Sequence, residues 1–228
     1  VNPNNLQKDS IFLTGSIEQE RSIGFQKDMT LSDILVSTND LKKNTFLYFA
    51  TIYRNPTETM PATYEVFSPQ KVISEKQVIK LKKGDVITFY SNDDIKLILD
   101  QKLSTNTDTA LLDYILIDKF SVSIKGAVKN PGRLLLGAKY TFEEVLDIVG
   151  GFTNDSDKKN LDILYPVKKD DGNTIFDQKF LNYETSDRLK LVDFGSVIRV
   201  PQFSNELNLG QVKILGAVKE PGNYQILK

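Results

Sequence analysis

Apolar and polar positions alternate along one short segment that occurs twice in this chain. Residues 122–132 read Val-Ser-Ile-Lys-Gly-Ala-Val-Lys-Asn-Pro-Gly, and residues 212–222 read Val-Lys-Ile-Leu-Gly-Ala-Val-Lys-Glu-Pro-Gly. Alternation with a period of two is typical of a half-buried β-strand, and Pro-Gly favours a turn in which the glycine takes a positive φ. A glycine inside a strand pattern indicates a bulge or the close approach of another backbone. Each segment therefore predicts a β-hairpin, with Gly126 and Gly216 in the strand and Pro131, Gly132, Pro221 and Gly222 in the turn.

A helical pattern follows the hairpin of residues 122–132. Thr141 and Glu144 have the spacing of a capping box, in which each side chain bonds the backbone N–H of the other residue. Apolar residues then recur on one helical face: Phe142, Val145, Leu146 and Val149. Gly150-Gly151 supplies the left-handed conformation in which many helices end. The pattern predicts one helix over residues 142–149, laid across a sheet.

The whole pattern recurs upstream with a constant difference of 111 in residue number. The offset carries residues 11–17 onto 122–128 and matches further glycines and apolar positions: Thr30 with Thr141, Leu35 with Leu146, Ile52 with Ile163, Gly84 with Gly195 and Ile87 with Ile198. Self-similarity at a fixed period is the mark of a repeated module. The offset also places Asn39 at Gly150, so we expect Asn39 to take the left-handed conformation. It aligns residues 63–65 with residues 174–176.

We therefore predict an α+β chain of tandem units, each with a hairpin, one principal helix and further strands in a ubiquitin-like β-grasp arrangement. Residues 1–92 form the first unit, with its core in 11–92, and residues 122–203 form the second. Residues 93–121 connect them and carry too many apolar side chains for a solvated linker. Residues 212–228 are expected to be the first hairpin of a third unit, cut short because the chain is a fragment. The two joints differ in length, which argues against a regular solenoid.

Composition narrows the possible functions. The chain has 228 residues, of which 29 are basic and 30 acidic, and a net charge of −1. This balance argues against a nucleic-acid surface, which needs a basic stripe. The sequence contains no cysteine and no histidine, so disulfide scaffolds, thiol nucleophiles and the Ser-His-Asp triad are excluded. No apolar run reaches the ~18 residues that a membrane helix needs.

Two groups of carboxylates are candidate chemical sites. Asp85, Asp93 and Asp94 cluster around one strand of the first unit, and a retaining glycosidase needs two carboxylates ~5 Å apart. The offset places Ser196 at Asp85, however, so such a site would not be common to both units. A second group has the hard oxygen ligands that calcium takes but fits no loop consensus: Asp155, Asp157, Asp170 and Asp171. We interpret both groups as structural and expect no enzyme, no metal and no cofactor.

These motifs together resemble the SLBB domain, a soluble-ligand-binding β-grasp fold. The resemblance lies in the hairpin segment 122–132, in Thr-x-x-Glu-Val-Leu-x-x-Val-Gly-Gly-Phe-Thr at 141–153, and in Gly-x-Val-Ile at 195–198. Tandem copies resemble the outer-membrane polysaccharide export proteins, which include capsule exporters of the Wza and KpsD type. The first unit departs from the pattern, because Glu20-Arg21 stands where the second unit has Pro-Gly.

The resemblance implies a non-catalytic protein of the periplasm, associated with the outer membrane of a Gram-negative bacterium. It implies assembly into a homo-oligomeric ring that forms part of a conduit for capsular polysaccharide or exopolysaccharide. The implied partners are other copies of the protein, an inner-membrane polysaccharide copolymerase component and the polysaccharide, with no nucleic acid. A polysaccharide-export motif domain normally precedes such units, and this sequence does not contain one.

Two further expectations concern sites. Aromatic side chains stack on sugar rings, so Tyr53, Tyr90 and Tyr165 are candidate sugar contacts, although half-buried core positions are the simpler interpretation. The turn and strand residues Gly126, Pro131, Gly132, Gly216, Pro221 and Gly222 are structural first and candidate contacts between protomers second. Because the fold alone does not fix function, a soluble-ligand receptor with a groove between the two units remains the alternative.

Overall fold

The computed structural model describes residues 9–56, 61–100 and 115–203, together with 211–214, 216, 219 and 222–225. It contains two mixed five-stranded sheets and a few helices, consistent with an α+β fold. Within these residues, none of the helices has both the length and the apolar character needed to cross a membrane.

The first sheet has the strand order β2-β1-β5-β3-β4. Its strands are β1 (Ser10–Gly15), β2 (Arg21–Gly24), β3 (Thr45–Arg54), β4 (Thr63–Phe67) and β5 (Val86–Ser91). The helices of this part are α1 (Leu31–Ile34), α2 (Pro69–Glu75) and α3 (Asn92–Leu99), with a 3-10 turn at Thr38–Asp40. Only β1 and β5 pair in parallel, and the other pairs are antiparallel.

The second sheet has the order β7-β6-β10-β8-β9. Its strands are β6 (Ser121–Gly126), β7 (Gly132–Leu135), β8 (Leu161–Lys168), β9 (Thr174–Leu181) and β10 (Val197–Val200), with helix α4 (Phe142–Ile148) and a 3-10 turn at Ser186–Leu189. Residues 115–120 are helical. Strands β11 (Gln211–Ile214) and β12 (Gly222–Gln225) form a separate antiparallel pair.

The two sheets follow the same plan down to the pairing of individual residues. In the parallel pairs, Leu13 lies opposite Ile87 and Ile124 opposite Ile198. In the central antiparallel pairs, Ile52 lies opposite Ile87 and Ile163 opposite Ile198. Each of these pairs differs from its counterpart by 111 in both residue numbers. The pairs between β1 and β2 and between β6 and β7 also differ by 111. Four of the five strands in each sheet therefore occupy equivalent positions.

The outer hairpin is where the aligned positions diverge. Glu65 lies opposite Ile52, whereas Lys179 lies opposite Ile163, so the offset on this strand is 114. The expected alignment of residues 63–65 with 174–176 is therefore wrong. The β8–β9 hairpin stays paired up to a tight turn in which Gly172 has φ +83°. Paired residues of β8 and β9 are therefore three positions further apart in sequence than those of β3 and β4.

The helix expected over residues 142–149 is confirmed with its capping box. Glu144 Oε2 accepts from the Thr141 backbone N–H at 2.6 Å, and Thr141 Oγ1 accepts from the Glu144 N–H at 3.2 Å. Gly150 and Gly151 follow with φ of +81° and +88°. The matching expectation for Asn39 is wrong. Helix α1 has only four residues, and Asn39 lies in the 3-10 turn that follows it.

Each sheet packs its inner face on its own apolar core. The first core gathers side chains such as Ile11, Leu31 and Phe67, and the second gathers Val122, Val145 and Leu161. A third cluster covers the outer face of the first sheet, on the side away from α1: Phe49, Ile95, Ile98, Leu116, Ile117 and Leu135. It combines α3, residues 115–120 and β7, and it therefore joins the two sheets into one packed body.

Candidate functional site

The glycine of the repeated segment lies at the end of strand β6, where the backbone of a neighbouring strand approaches closely. Gly126 has φ +90°, and a Cβ there would overlap the carbonyl oxygen of Val200 on the parallel neighbour β10. Gly15 has φ +86°, and a Cβ would overlap the Phe89 carbonyl oxygen on β5. The next residue in each unit donates its N–H to that same carbonyl, at 2.9 and 2.8 Å. The predicted close backbone approach is therefore confirmed, and Gly216 also has a positive φ, +105°.

The turn of the same hairpin differs from the prediction. Gly132 does not have a positive φ and opens β7, and a Cβ there would meet nothing within 4 Å. The reversal occurs over residues 127–131, which are tied to the end of α4 because Lys129 and Asn130 donate to the Gly151 and Val149 carbonyls at 3.0 and 3.1 Å. Pro131 and Gly132 are exposed, Gly222 opens β12, and Pro221 lies outside the described residues. Their role in protomer contacts stays a prediction.

The three candidate tyrosines are half-buried and are not brought together. Tyr53 packs against Tyr64 in the first sheet, with ring centroids 4.9 Å apart. The Tyr90 hydroxyl lies 3.1 Å from Thr51 Oγ1, on the face that α3 covers. Tyr165, in the second sheet, donates its hydroxyl to Asp177 at 2.9 Å, and Lys179 Nζ lies 4.2 Å from its ring centroid. Of the three, Tyr165 lines the smaller concavity described below. The role of all three as sugar contacts stays a prediction.

The acidic cluster around β5 has structural partners. Asp94 caps α3 by accepting from Ser91, and Asp93 accepts from Asn44 Nδ2 at 3.0 Å. Asp85 is 1% exposed and accepts from the Lys82 backbone N–H at 2.8 Å. Its other oxygen lies 3.6 Å from Arg54 Nε. Burial raises the pKa of Asp85, although the Lys82 N–H and the Arg54 charge oppose that shift.

The second acidic group lies in turns. Asp157 accepts from the Lys159 N–H and from Asn160, and Asp171 accepts from the Asn173 N–H and side chain. Asp155 accepts from Thr153 Oγ1. Over the described ranges, no three acidic side chains are grouped closely enough to hold a metal ion.

A polar junction between the two units was not predicted from the sequence. Tyr140, in the segment before α4, places its hydroxyl 2.5 Å from Ser68 Oγ, at the start of α2. Lys71 of α2 bonds Glu144 of α4 at 3.2 Å and lies 4.6 Å from the Tyr140 ring centroid. Gly137 donates its N–H to the Tyr48 carbonyl at 2.7 Å. These contacts hold helices α2 and α4 at a fixed separation.

Glu144 makes this junction sensitive to acid. Burial raises the pKa of Glu144, but hydrogen bonds from Thr141 and Lys71 outweigh it and hold the pKa below its ordinary value. The unfolded chain then binds the proton more tightly, so the stabilisation is present above about pH 4.3 and is lost as pH falls through the folded-state pKa. We expect Glu144→Gln to lower stability at pH 7 and to lose less stability than the wild type on acidification. Urea titrations between pH 7 and pH 3 measure this, with exposed Glu18→Gln as the control that should parallel the wild type.

Two adjoining concavities lie beside strands β8 and β10 of the second unit. The larger is a groove of about 1130 Å³ with basic, hydroxyl and aromatic side chains on its walls, among them Arg133, Lys168 and Phe176. The smaller is a cavity of about 110 Å³ beneath Tyr165 and Lys179. Asp193 and Ser196 line both. In the first unit, a groove of about 410 Å³ lies elsewhere, along residues 38–47.

Comparison with known proteins bears on the second unit. Residues 121–175 match the SLBB domain family, a span from the start of β6 into β9 that includes the repeated segment, α4 and Tyr165. A search of curated protein sequences found no match to the chain.

Proposed function

We propose that the chain carries two SLBB-type β-grasp units in tandem and that they are a non-catalytic part of a polysaccharide export protein. In this proposal the full-length protein is periplasmic and associated with the outer membrane of a Gram-negative bacterium. It assembles with copies of itself into a ring and works with an inner-membrane copolymerase component to pass a capsular polysaccharide or exopolysaccharide.

One observation carries the proposal: the strand plan of the SLBB-matching unit recurs at an offset of 111. The strand order and the residue pairing of β6, β8 and β10 have counterparts in β1, β3 and β5. SLBB domains are found in polysaccharide export proteins. A packed junction between the units supports a wall-forming role, because rigid units stack reproducibly. The carboxylates of Asp85, Asp93 and Asp94 accept hydrogen bonds from neighbouring amides, which supports a non-catalytic role.

The test uses the full-length mature protein and a strain that lacks it. We expect a defined oligomer in detergent by native mass spectrometry, and loss of surface polysaccharide that wild-type protein restores. Complementation with Ser22→Ala, a substitution at an exposed position of β2 that belongs to none of the candidate contacts, is the control and should also restore it. A strict monomer, combined with normal surface polysaccharide in the deletion strain, would contradict the proposal.

The receptor alternative requires a groove between the units. The junction contains Tyr140, Ser68 and a close backbone contact at Gly137, and the concavities described above are lined elsewhere. No contact found in the described residues favours the receptor. A thermal-shift panel of oligosaccharides and vitamin-like cofactors tests it, since a ligand at tenfold excess over its Kd stabilises the fold by about 1.4 kcal/mol.

A further inference from the structure

The first unit fills one buried position beside β5 with its own carboxylate. Asp85 is 1% exposed, and its Oδ2 accepts from the Lys82 N–H at 2.8 Å. Arg54 lies 3.6 Å from Oδ1 through Nε and 2.7 Å from Glu65 through its terminal nitrogen. Asp85 Oδ1 and Arg54 Nε make no hydrogen bond with a described residue, so the first unit fills this position with a carboxylate that is held by one backbone amide and by an ion pair.

The second unit has a different residue at the equivalent position. Ser196 occupies it, as the backbone shows: Phe12 N–H donates to the Asp85 carbonyl and Ser123 N–H to the Ser196 carbonyl, both at 2.9 Å. Ser196 is also 1% exposed. Its Oγ is buried and has no hydrogen-bond partner among the described residues. A buried hydroxyl without a partner is energetically unfavourable, so this position favours an incoming acceptor.

Ser196 lines the cavity of about 110 Å³. The strand registers put Tyr165 where the first unit has Arg54 and Lys179 where it has Glu65. Lys179 and Lys190 both line the cavity, together with apolar side chains from the core such as Ile163 and Leu181. The volume exceeds what one water molecule needs. Asp193, which also lines the cavity, is paired with Lys139, and Lys190 is paired with Asp187. A carboxylate that entered the cavity would therefore lie beside Ser196 and the ammonium group of Lys179.

The adjoining groove places further basic and hydroxyl-bearing residues beside the cavity. Lys119, Arg133 and Lys168 line it, and none of the three forms an ion pair with a described residue. The fourth cation of the groove, Lys139, is paired with Asp193. Ser123 and Thr174 also line the groove. Asp118 is the one further carboxylate on its lining. The groove is therefore positively charged, although the net charge of the chain is −1.

One wall of the groove carries an aromatic ring in contact with solvent. Phe176 on β9 is 59% exposed and lines the groove beside Thr174 and Lys168. An exposed ring beside hydroxyl groups suits the apolar face and polar edge of a sugar ring. This combination favours an acidic sugar over an acidic peptide as the occupant.

We propose that the groove binds an acidic oligosaccharide, one carboxylate of which enters the cavity and accepts a hydrogen bond from Ser196 Oγ. The inference rests on the proposed role in polysaccharide export and specifies the substrate class as a polysaccharide that contains uronate or similar acidic sugars. In the second unit, a carboxylate of the ligand would thus occupy the position that Asp85 fills in the first unit.

The test is isothermal titration of the 228-residue chain with trigalacturonate, neutral maltotriose and triglutamate. We expect trigalacturonate to bind at least about tenfold more tightly than either of the others. Ser196→Asp, which installs the residue of the first unit, should weaken that binding at least about tenfold. Ser22→Asp on exposed β2 adds the same charge far from the groove and should leave affinity within about twofold.

A second pair of variants does not depend on a buried substitution. Lys168→Glu reverses an exposed cation of the groove and should also weaken trigalacturonate binding about tenfold, whereas exposed Lys27→Glu should not. Equal affinity for trigalacturonate and maltotriose, no binding at all, or unchanged affinity in both groove variants would overturn the inference. Tighter binding of triglutamate would overturn the assignment to a sugar. Ring assembly of the full-length protein is measured separately, so any of these failures leaves the proposed function to its own test.

Discussion

Substituting Gly126 by alanine is expected to destabilise the second unit by about 4 kcal/mol. A positive φ costs a residue with a Cβ about 1–3 kcal/mol, and here φ is +90°. The added Cβ would also overlap the Val200 carbonyl oxygen, which accepts the Ala127 N–H at 2.9 Å. Forced overpacking adds about 1–3 kcal/mol. Urea unfolding followed by circular dichroism measures the change.

Gly172→Ala separates the two contributions. Gly172 has φ +83°, but a Cβ there would meet nothing within 4 Å, so only the conformational cost of about 1–2 kcal/mol remains. Gly15→Ala should resemble Gly126→Ala, because its Cβ would overlap the Phe89 carbonyl oxygen at φ +86°. A loss for Gly126→Ala no larger than that for Gly172→Ala would show that the parallel strands do not approach as closely as described.

Substituting Gly137 by alanine is expected to weaken the junction between the two units and to cost about 3 kcal/mol. Gly137 is buried, and a Cβ there would overlap the Phe67 carbonyl group at the end of β4. The backbone must then separate, which also lengthens the bond from Gly137 N–H to the Tyr48 carbonyl. We expect a lower midpoint temperature of unfolding. We also expect the single unfolding transition to split into two, because each sheet retains its own core.

The matched control for the junction is Gly132→Ala, five residues earlier. Gly132 is exposed and its added Cβ would meet nothing within 4 Å, so the change should stay within about 0.5 kcal/mol. Differential scanning calorimetry distinguishes one transition from two. A single transition with an unshifted midpoint in Gly137→Ala would mean that the units do not pack against each other as described.

The repeated plan could be predicted from the sequence because its determinants are local. Gly15 and Gly126 must be glycine where a neighbouring carbonyl approaches, and Thr30 and Thr141 both open helices. Such requirements persist when the surrounding residues change. The alternation of Val122 and Ile124 likewise records which strand face is buried. A constant offset of 111 in the sequence therefore reappeared as a constant offset in strand pairing.

Features that depend on distant residues could not be predicted in this way. Nothing near Gly137 indicates that Phe67 approaches it, and nothing near Tyr140 indicates Ser68 as its partner. The shift of the outer hairpin from 111 to 114 depends on how far the β8–β9 ladder extends, which alternation alone does not set. The expectation for Asn39 failed because α1 ends early and a 3-10 turn follows.

In the sequence, the candidate site is indicated only by a difference between the two units at one aligned position. Aligning Asp85 with Ser196 suggested that any chemistry there would not be common to both units. The structure adds the reason, because Asp85 is bonded to the Lys82 N–H and lies near Arg54, whereas Ser196 Oγ has no partner among the described residues and borders a cavity. Of the three tyrosines selected from the sequence, only Tyr165 lines that cavity.

The central claim, that one unit is present twice with the same strand pairing, is tested most directly by engineered disulfides, because the native sequence has no cysteine. Thr14 lies opposite Thr88 and Lys125 opposite Arg199 in the two parallel pairs. Both pairs, changed to cysteines, should cross-link on mild oxidation, as mass spectrometry of the digests would show. Pairs shifted by two residues, Thr14 with Val86 and Lys125 with Val197, exceed the ~7 Å limit for a disulfide and should not. Cross-linking of the shifted pairs, or of only one unit's matched pair, would contradict the claim.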